Sequence, residues 1–225
     1  MTDINNSREL LSNFPKLIKG AIIALNPTSN VIVKTIPFQY NPETLTRTLQ
    51  VQASTREGGD RTEALRLKGA PVETIKFDVE FETTGPLSGA AEKAAVSDGI
   101  YPQLSALETL IYPDSQQVTK KMQQADKGTV EIAPLEAPLS LLVWGKKRVL
   151  PVRLTDFTIT EEAFDVNLNP IRAKVSLSLR VLNYDDLPWD QRGSKLFLAH
   201  HEGKERLARI GSINYSSDIT GVVIN

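Results

Sequence analysis

The stretch Arg172-Ala173-Lys174-Val175-Ser176-Leu177-Ser178-Leu179-Arg180-Val181 alternates polar and apolar residues without a break. A β-strand sends successive side chains to opposite faces. Ala173, Val175, Leu177, Leu179 and Val181 therefore share one face, and Arg172, Lys174, Ser176, Ser178 and Arg180 share the other. Upstream, Asn167-Leu168-Asn169-Pro170 carries the residue types of a sharp turn. A second strand-like run covers residues 152–162. The pattern predicts a long antiparallel hairpin with one greasy face and one cationic, hydroxyl-rich face. Such a surface suits assembly better than a small-molecule pocket.

Working outward, residues 140–144 and 148–152 flank Gly145-Lys146-Lys147, which reads as a hairpin turn. Residues 73–81 alternate again, with Ile75, Phe77, Val79 and Phe81 against Thr74, Lys76, Asp78 and Glu80. Residues 16–25 and 31–38 predict a further hairpin around a turn at 26–30, with Pro37 placing the second strand at an edge. Asn41-Pro42 turns the chain into an alternating segment at 45–53. Helical spacing places Leu104, Leu107, Leu110 and Ile111 on one stripe between Pro102 and Pro113. A second amphipathic helix is expected over 194–210, with Leu196, Leu198, Leu207 and Ile210 on its face and Gly211 at its end. Residues 56–70, 85–99 (with a short helix at 90–95) and 114–137 read as long polar connections. The segment 8–14 has only a hint of helical spacing, and 212–225 reads as a tail able to add a strand to a neighbour.

Composition narrows the chemistry. A chain of 225 residues buries enough surface to fold without staples. It has 0 cysteines, which excludes disulfides, zinc-thiolate sites, iron–sulfur clusters and cysteine nucleophiles. A net charge of -1 argues against bulk attraction to nucleic acid or anionic lipid. The start, Met1-Thr2-Asp3-Ile4, has neither the basic opening nor the apolar core of a secretory signal, and no run reaches the ~20 apolar residues of a membrane span.

Candidate chemistry fails on spacing. His200-His201-Glu202 lacks the second histidine four positions after His201, where Glu205 stands, so no metal site is expected. Glu161, Glu162 and Asp165 form an acidic cluster without a partner subsite, and a solvated or intersubunit face explains it better than a hydrolase. Gly58-Gly59 lacks the lysine and hydroxyl of a phosphate loop, and no Gly-x-Ser-x-Gly elbow occurs. Trp144 ends an apolar strand and reads as a core or interface anchor. Trp189 is expected to staple the C-terminal helix to the β-structure, and Phe164 is a third core or interface anchor.

Taken in order, the strand pair, Phe38-Gln39-Tyr40-Asn41-Pro42-Glu43-Thr44-Leu45, Pro71 to Phe81, Tyr101-Pro102-Gln103-Leu104, Leu141-Leu142-Val143-Trp144-Gly145 and Phe164 to Val175 resemble the tube-terminal, spike-adaptor proteins of contractile injection systems. The resemblance spans residues 18–182. It implies a mainly β fold with one or two helices, a phage tail-tube-like β-barrel or sandwich with long hairpins and a C-terminal helical extension. It further implies a non-enzymatic role without cofactors: a homohexameric ring joining the inner tube to the spike, in contact with the inner tube protein, the spike protein and other baseplate proteins. Neither nucleic acid binding nor membrane insertion is implied, and assembly is expected in the cytoplasm as part of an injection particle, released or membrane-attached. Arg172, Lys174, Ser176, Ser178, Arg180, Asn169 and Pro170 are the expected subunit-interface or lumen residues. Relatives often carry a C-terminal LysM module, and nothing after Leu182 resembles one. The expected division is a tube-like domain at 1–182 and a bridge, helix and tail at 183–225. A stand-alone carbohydrate- or peptide-binding β-domain is the competing reading.

Overall fold

The computed structural model describes residues 18–26, 29–53, 66–84, 95–126 and 137–212. The readings at 8–14, Gly58-Gly59, 90–94 and 213–225 lie outside them. Seven strands form one sheet in the order β2-β1-β5-β6-β7-β4-β3. They are β1 (Ala21–Leu25), β2 (Ile32–Pro37), β3 (Thr46–Gln50), β4 (Val72–Glu82), β5 (Leu139–Val143), β6 (Val149–Phe164) and β7 (Pro170–Val181). Every pairing is antiparallel. The described helices are α1 (Tyr101–Glu108), α2 (Ser115–Asp126) and α3 (Arg192–Gly211), with a further helical turn at 95–98.

The alternation of β7 decides which side is core. Ala173, Val175, Leu177, Leu179 and Val181 are all buried, as are Ile75, Phe77, Val79 and Phe81 beside them on β4. The register sets Phe77 opposite Leu177 and Val79 opposite Val175, so apolar rows meet across the strands. Helix α1 contributes Leu104 and Leu107 to the same core, and Leu110 follows just beyond it. Ile111, expected on that stripe, is 50% exposed because the helix ends at Glu108.

The sheet is strongly curled. A flat sheet in this strand order would hold β2 and β4 five spacings of about 4.8 Å apart, roughly 24 Å. Yet the Phe38 ring, one residue beyond β2, lies 5.3 Å from the Phe77 ring of β4, and Trp144 packs at 6.4 Å and 5.9 Å from the two. Irregular register at Ala24/Leu25, Leu154/Asp156 and Glu161/Ala163 supplies twist. At the seam between the chain leaving β2 and the end of β4, Tyr40 Oη donates to Glu82 Oε1 at 2.6 Å, and the Gln39 amide bonds the Glu82 backbone. The Gln39 amide nitrogen donates to the Glu82 carbonyl at 2.7 Å, and the Glu82 N–H donates to Gln39 Oε1 at 2.8 Å. A buried amide thus stands in for a strand neighbour.

Two helical expectations need correction. Residues 115–126 are helical, not a plain polar connection. Asp114 Oδ1 accepts the N–H groups of Gln116 and Gln117 at 2.9 Å and 3.0 Å, capping the start. No residue of α2 is buried, and its apolar face is short, carried by Val118 and Met122. In α3 the packed residues are Gly193, Ser194 and Phe197, whereas Leu207 and Ile210 are exposed. The fully buried residues of α3 lie in its first turns, and contact with the sheet continues as far as Lys204.

Gln39→Leu removes the seam and leaves the Glu82 N–H and C=O without these partners. Two part-buried backbone groups at about 1–3 kcal/mol each predict a loss of roughly 2–6 kcal/mol in urea unfolding. A loss under 0.5 kcal/mol would show that the seam does not hold the curl.

Candidate assembly surface

The β6–β7 hairpin is the longest paired unit, running from Val152↔Val181 to Phe164↔Pro170. β5 covers the other edge of β6 only from Val149 to Val152. From Arg153 to Phe164 no strand among the described residues pairs with that outer edge. β7 itself is interior, paired with β6 on one side and β4 on the other. Among the described residues the unpaired edge of the hairpin therefore belongs to β6.

The polar face of β7 is laced to its neighbours. Arg172 Nε lies 3.0 Å from Glu162, Lys174 Nζ 2.8 Å from Asp78, and Arg180 2.6 Å from Asp186. The Lys174 ammonium, with a hydrogen bond from Ser176, holds the Asp78 carboxyl below its ordinary range, and Asp78 in turn raises Lys174. Ser176 is exposed. Ser178 is not part of a wet face: it is buried, and Thr155 Oγ1 donates to its carbonyl at 3.1 Å.

Asp165 builds the turn. Its Oδ1 accepts the N–H groups of Asn167 and Asn169 at 2.7 Å and 2.9 Å, and its Oδ2 accepts from Asn169 Nδ2 at 2.9 Å. These hydrogen bonds, the Asn169 side chain first, hold its carboxyl below the usual value. Asn169 Nδ2 also donates to the Ser97 carbonyl, and the Ile100 N–H donates to the buried Pro170. Gly99, at φ +59, lets the backbones meet, since a Cβ there would sit 2.2 Å from the Pro170 oxygen. The acidic cluster is thus dispersed: Glu162 pairs with Arg172, and Asp165 is committed to the turn.

Of the aromatic anchors, Trp144 packs its ring with Phe38 and Phe77. Phe164 and Trp189 are 48% and 62% exposed, so neither anchors the protomer core. Tyr184, not Trp189, fastens α3, with its ring 5.5 Å from Phe197 and stacked 6.5 Å from His201. Ser194 Oγ adds hydrogen bonds to the carbonyls of Leu187 and Pro188.

Sequence reasoning missed Glu73. It falls on the inward parity of β4, in line with Ile75 and Phe77, and is buried. Arg47 Nε donates to it at 2.5 Å, and Lys204 of α3 approaches at 3.4 Å. An inward-facing glutamate in an alternating strand was the available signal. His200, beside this cluster, is held below its ordinary pKa by burial and then by Lys204. His201 faces Glu205 at 3.7 Å, and no group of three potential metal ligands occurs among the described residues.

The Asn41-Pro42 motif has a structural part as well. Asn41 Oδ1 accepts the Gly20 N–H at 2.8 Å and its Nδ2 donates to the Ile18 carbonyl at 2.9 Å, fixing the entry to β1. A polar groove of about 670 Å³ lies between this turn and β4, lined by Asp78, Glu80 and Glu82 together with Arg172 and Lys174. Lys174 pairs there with Asp78, and Tyr40 Oη donates to Glu82 at 2.6 Å.

The family described as contractile injection system tube protein matches residues 16–187. The chain belongs to the contractile injection system tube protein family. Members of this family are structural parts of an injection tail, and the antiparallel, helix-bearing β fold of this chain accords with that. Two solved structures, described as the tail of an empty GTA particle refined with C6 symmetry and the virion of a native gene transfer agent, are each 12% identical to it. The matches cover 72% of this chain and 90% of theirs, at TM-scores of 0.27 and 0.26. No curated protein matches. No described helix of this tube-family chain is long and apolar enough to cross a membrane.

Burial would raise the Glu73 carboxyl, but Arg47 and Lys204 together outweigh it and hold the group below its ordinary 4.5. The unfolded chain therefore takes up the proton first as the pH falls. The stabilisation is complete at neutral pH, declines below about 4.5, and vanishes once the folded carboxyl protonates. Glu73→Ala is expected to cost about 3 kcal/mol at pH 7, and Glu73→Gln to flatten the acid limb of a stability–pH curve. A Glu73→Gln curve parallel to the wild type would refute this role.

Proposed function

We propose that this chain forms a homohexameric ring at the end of an injection tube, joining the inner tube protein to the spike and to other baseplate proteins. The observation that carries the reading is the unpaired outer edge of β6 from Arg153 to Phe164. A long strand edge with free backbone donors and acceptors recruits another strand. Copies of one chain, each offering an edge to the next, satisfy those groups by closing into a common barrel. A second exposed edge supports this: Val31, Ile32 and Val33, at the outer edge of β2, are 62%, 58% and 63% exposed.

In this reading Arg172, Lys174, Ser176 and Arg180 face a wet channel, with their ion pairs keeping the wall polar. Ser178 braces β6 against β7 from within. Asn169 and Pro170 shape the hairpin end, and Phe164 and Trp189 are contacts between subunits. Residues 1–182 build the ring and 183–225 form its appendage. The role is structural, needs no cofactor, and places the protein in a phage-tail-like particle. The competing carbohydrate-binding reading loses its main platform, because the Trp144 ring is occupied by Phe38 and Phe77.

Sedimentation velocity and negative-stain microscopy of the purified full-length chain test the proposal. Rings with an open centre and a mass of six protomers are expected. A chain that remains monomeric and does not copurify with tube or spike partners contradicts it.

A further inference from the structure

The tip of the β6–β7 hairpin is apolar and open to solvent. Val166 is 99% exposed, Leu168 75% and Phe164 48%. Isolated exposed apolar residues are ordinary, but three at one protruding turn form a patch. The turn is also rigid, because Asp165 and Asn169 fix its backbone and Asn169 tethers it to Ser97. Leu168 sits at φ 63, a left-handed conformation that suits glycine and disfavours leucine. A strained and solvent-exposed leucine contributes nothing to the protomer that a glycine would not.

At the opposite end of the same hairpin β6 runs past the end of β5 and opens a cavity of about 490 Å³. Ile111, Leu139, Leu154 and Leu187 line it, and Arg153 and Arg192 stand at its exposed rim. Among the described residues no carboxylate lines it. The tip carries net negative charge: Glu161, Glu162 and Asp165 flank its apolar residues, and among the described residues only Glu162 is offset, by Arg172. Apolar tip and apolar cavity, acidic flank and basic rim are complementary in both terms.

We propose that the Phe164–Leu168 tip of one copy seats in the Ile111–Leu139–Leu154–Leu187 cavity of the next copy. The contact rests on the reading that copies of this chain assemble. Because plug and socket lie at opposite ends of one hairpin, it is heterologous: each copy gives a tip and receives one. Seating removes the three apolar side chains from water, which drives the contact, and the carboxylate–guanidinium pairs orient it.

The absence of cysteine, 0 in the chain, makes the test clean. In the assembled full-length protein, Val166→Cys with Ile111→Cys is treated with a short bismaleimide. A ladder of covalent oligomers is expected from the double variant, and none from either single variant. Val166→Asp with Leu168→Asp should weaken assembly at least tenfold while leaving the melting temperature of the protomer unchanged, since both positions are exposed. Leu168→Gly should raise that melting temperature and still weaken assembly. An assembled double-cysteine variant that gives no ladder, crosslinking by Val166→Cys alone, or undiminished assembly of the double aspartate variant would each overturn the contact. A wild type that stays monomeric removes the ring reading itself, whereas an assembled wild type without this crosslink removes only the tip-to-cavity contact.

Discussion

The structure depends on how a seven-stranded sheet closes on itself. Phe38 and Phe77 come from opposite ends of the strand order and meet through their rings, with Trp144 against both. Aromatic surface buried at that point supplies the attraction. The Gln39 amide, bonded both ways to the Glu82 backbone, converts it into a fixed seam. Without the seam two strand ends would be left facing each other with unpaired polar groups inside the core. Asn41 then ties the same turn to the start of β1, so a short stretch of chain after β2 sets the curl of the whole sheet.

A sheet closed in this way has strands of unequal length. β6 and β7 run on well past β5, with β4 following β7 as far as Glu82. The overhang is therefore braced on one side and bare on the other. Its outward face is neutralised by local pairs between β6, β7 and β4, which suits a surface beside water but not one that grips a charged ligand. Among the described residues the outer edge of β6 is unpaired beyond Val152, and the hairpin tip is exposed. The Glu73 cluster adds a separate link, tying the C-terminal helix to β3 and β4 through Lys204 and Arg47.

The strands were legible because their alternation is regular and one face is buried, as β7 and β4 show. The Gly145 turn was legible for a similar reason: its φ of 68 calls for glycine. Pairing order was not. Nothing local in residues 172–181 says that β4 lies beside β7, so which strand of the hairpin keeps an open edge could not be read from sequence. Helix α2 has only Val118 and Met122 as large apolar residues on one face, too few to stand out from a polar connection, although Asp114 marked its start. The face of α3 was misjudged because its fully buried residues are confined to its first turns, and nothing local marked Tyr184 as the ring that packs on Phe197. Glu73 was readable in parity but not in partners, since Arg47 and Lys204 lie on separate elements.

The claim that copies of this chain complete one another's β-structure is tested most directly by a cryo-EM reconstruction of the assembled protein at a resolution that separates strands. The account predicts a strand of a neighbouring copy hydrogen-bonded along β6 between Arg153 and Phe164. Solvent along that edge in a well-resolved assembly, with subunits touching only through loops or helices, would contradict it.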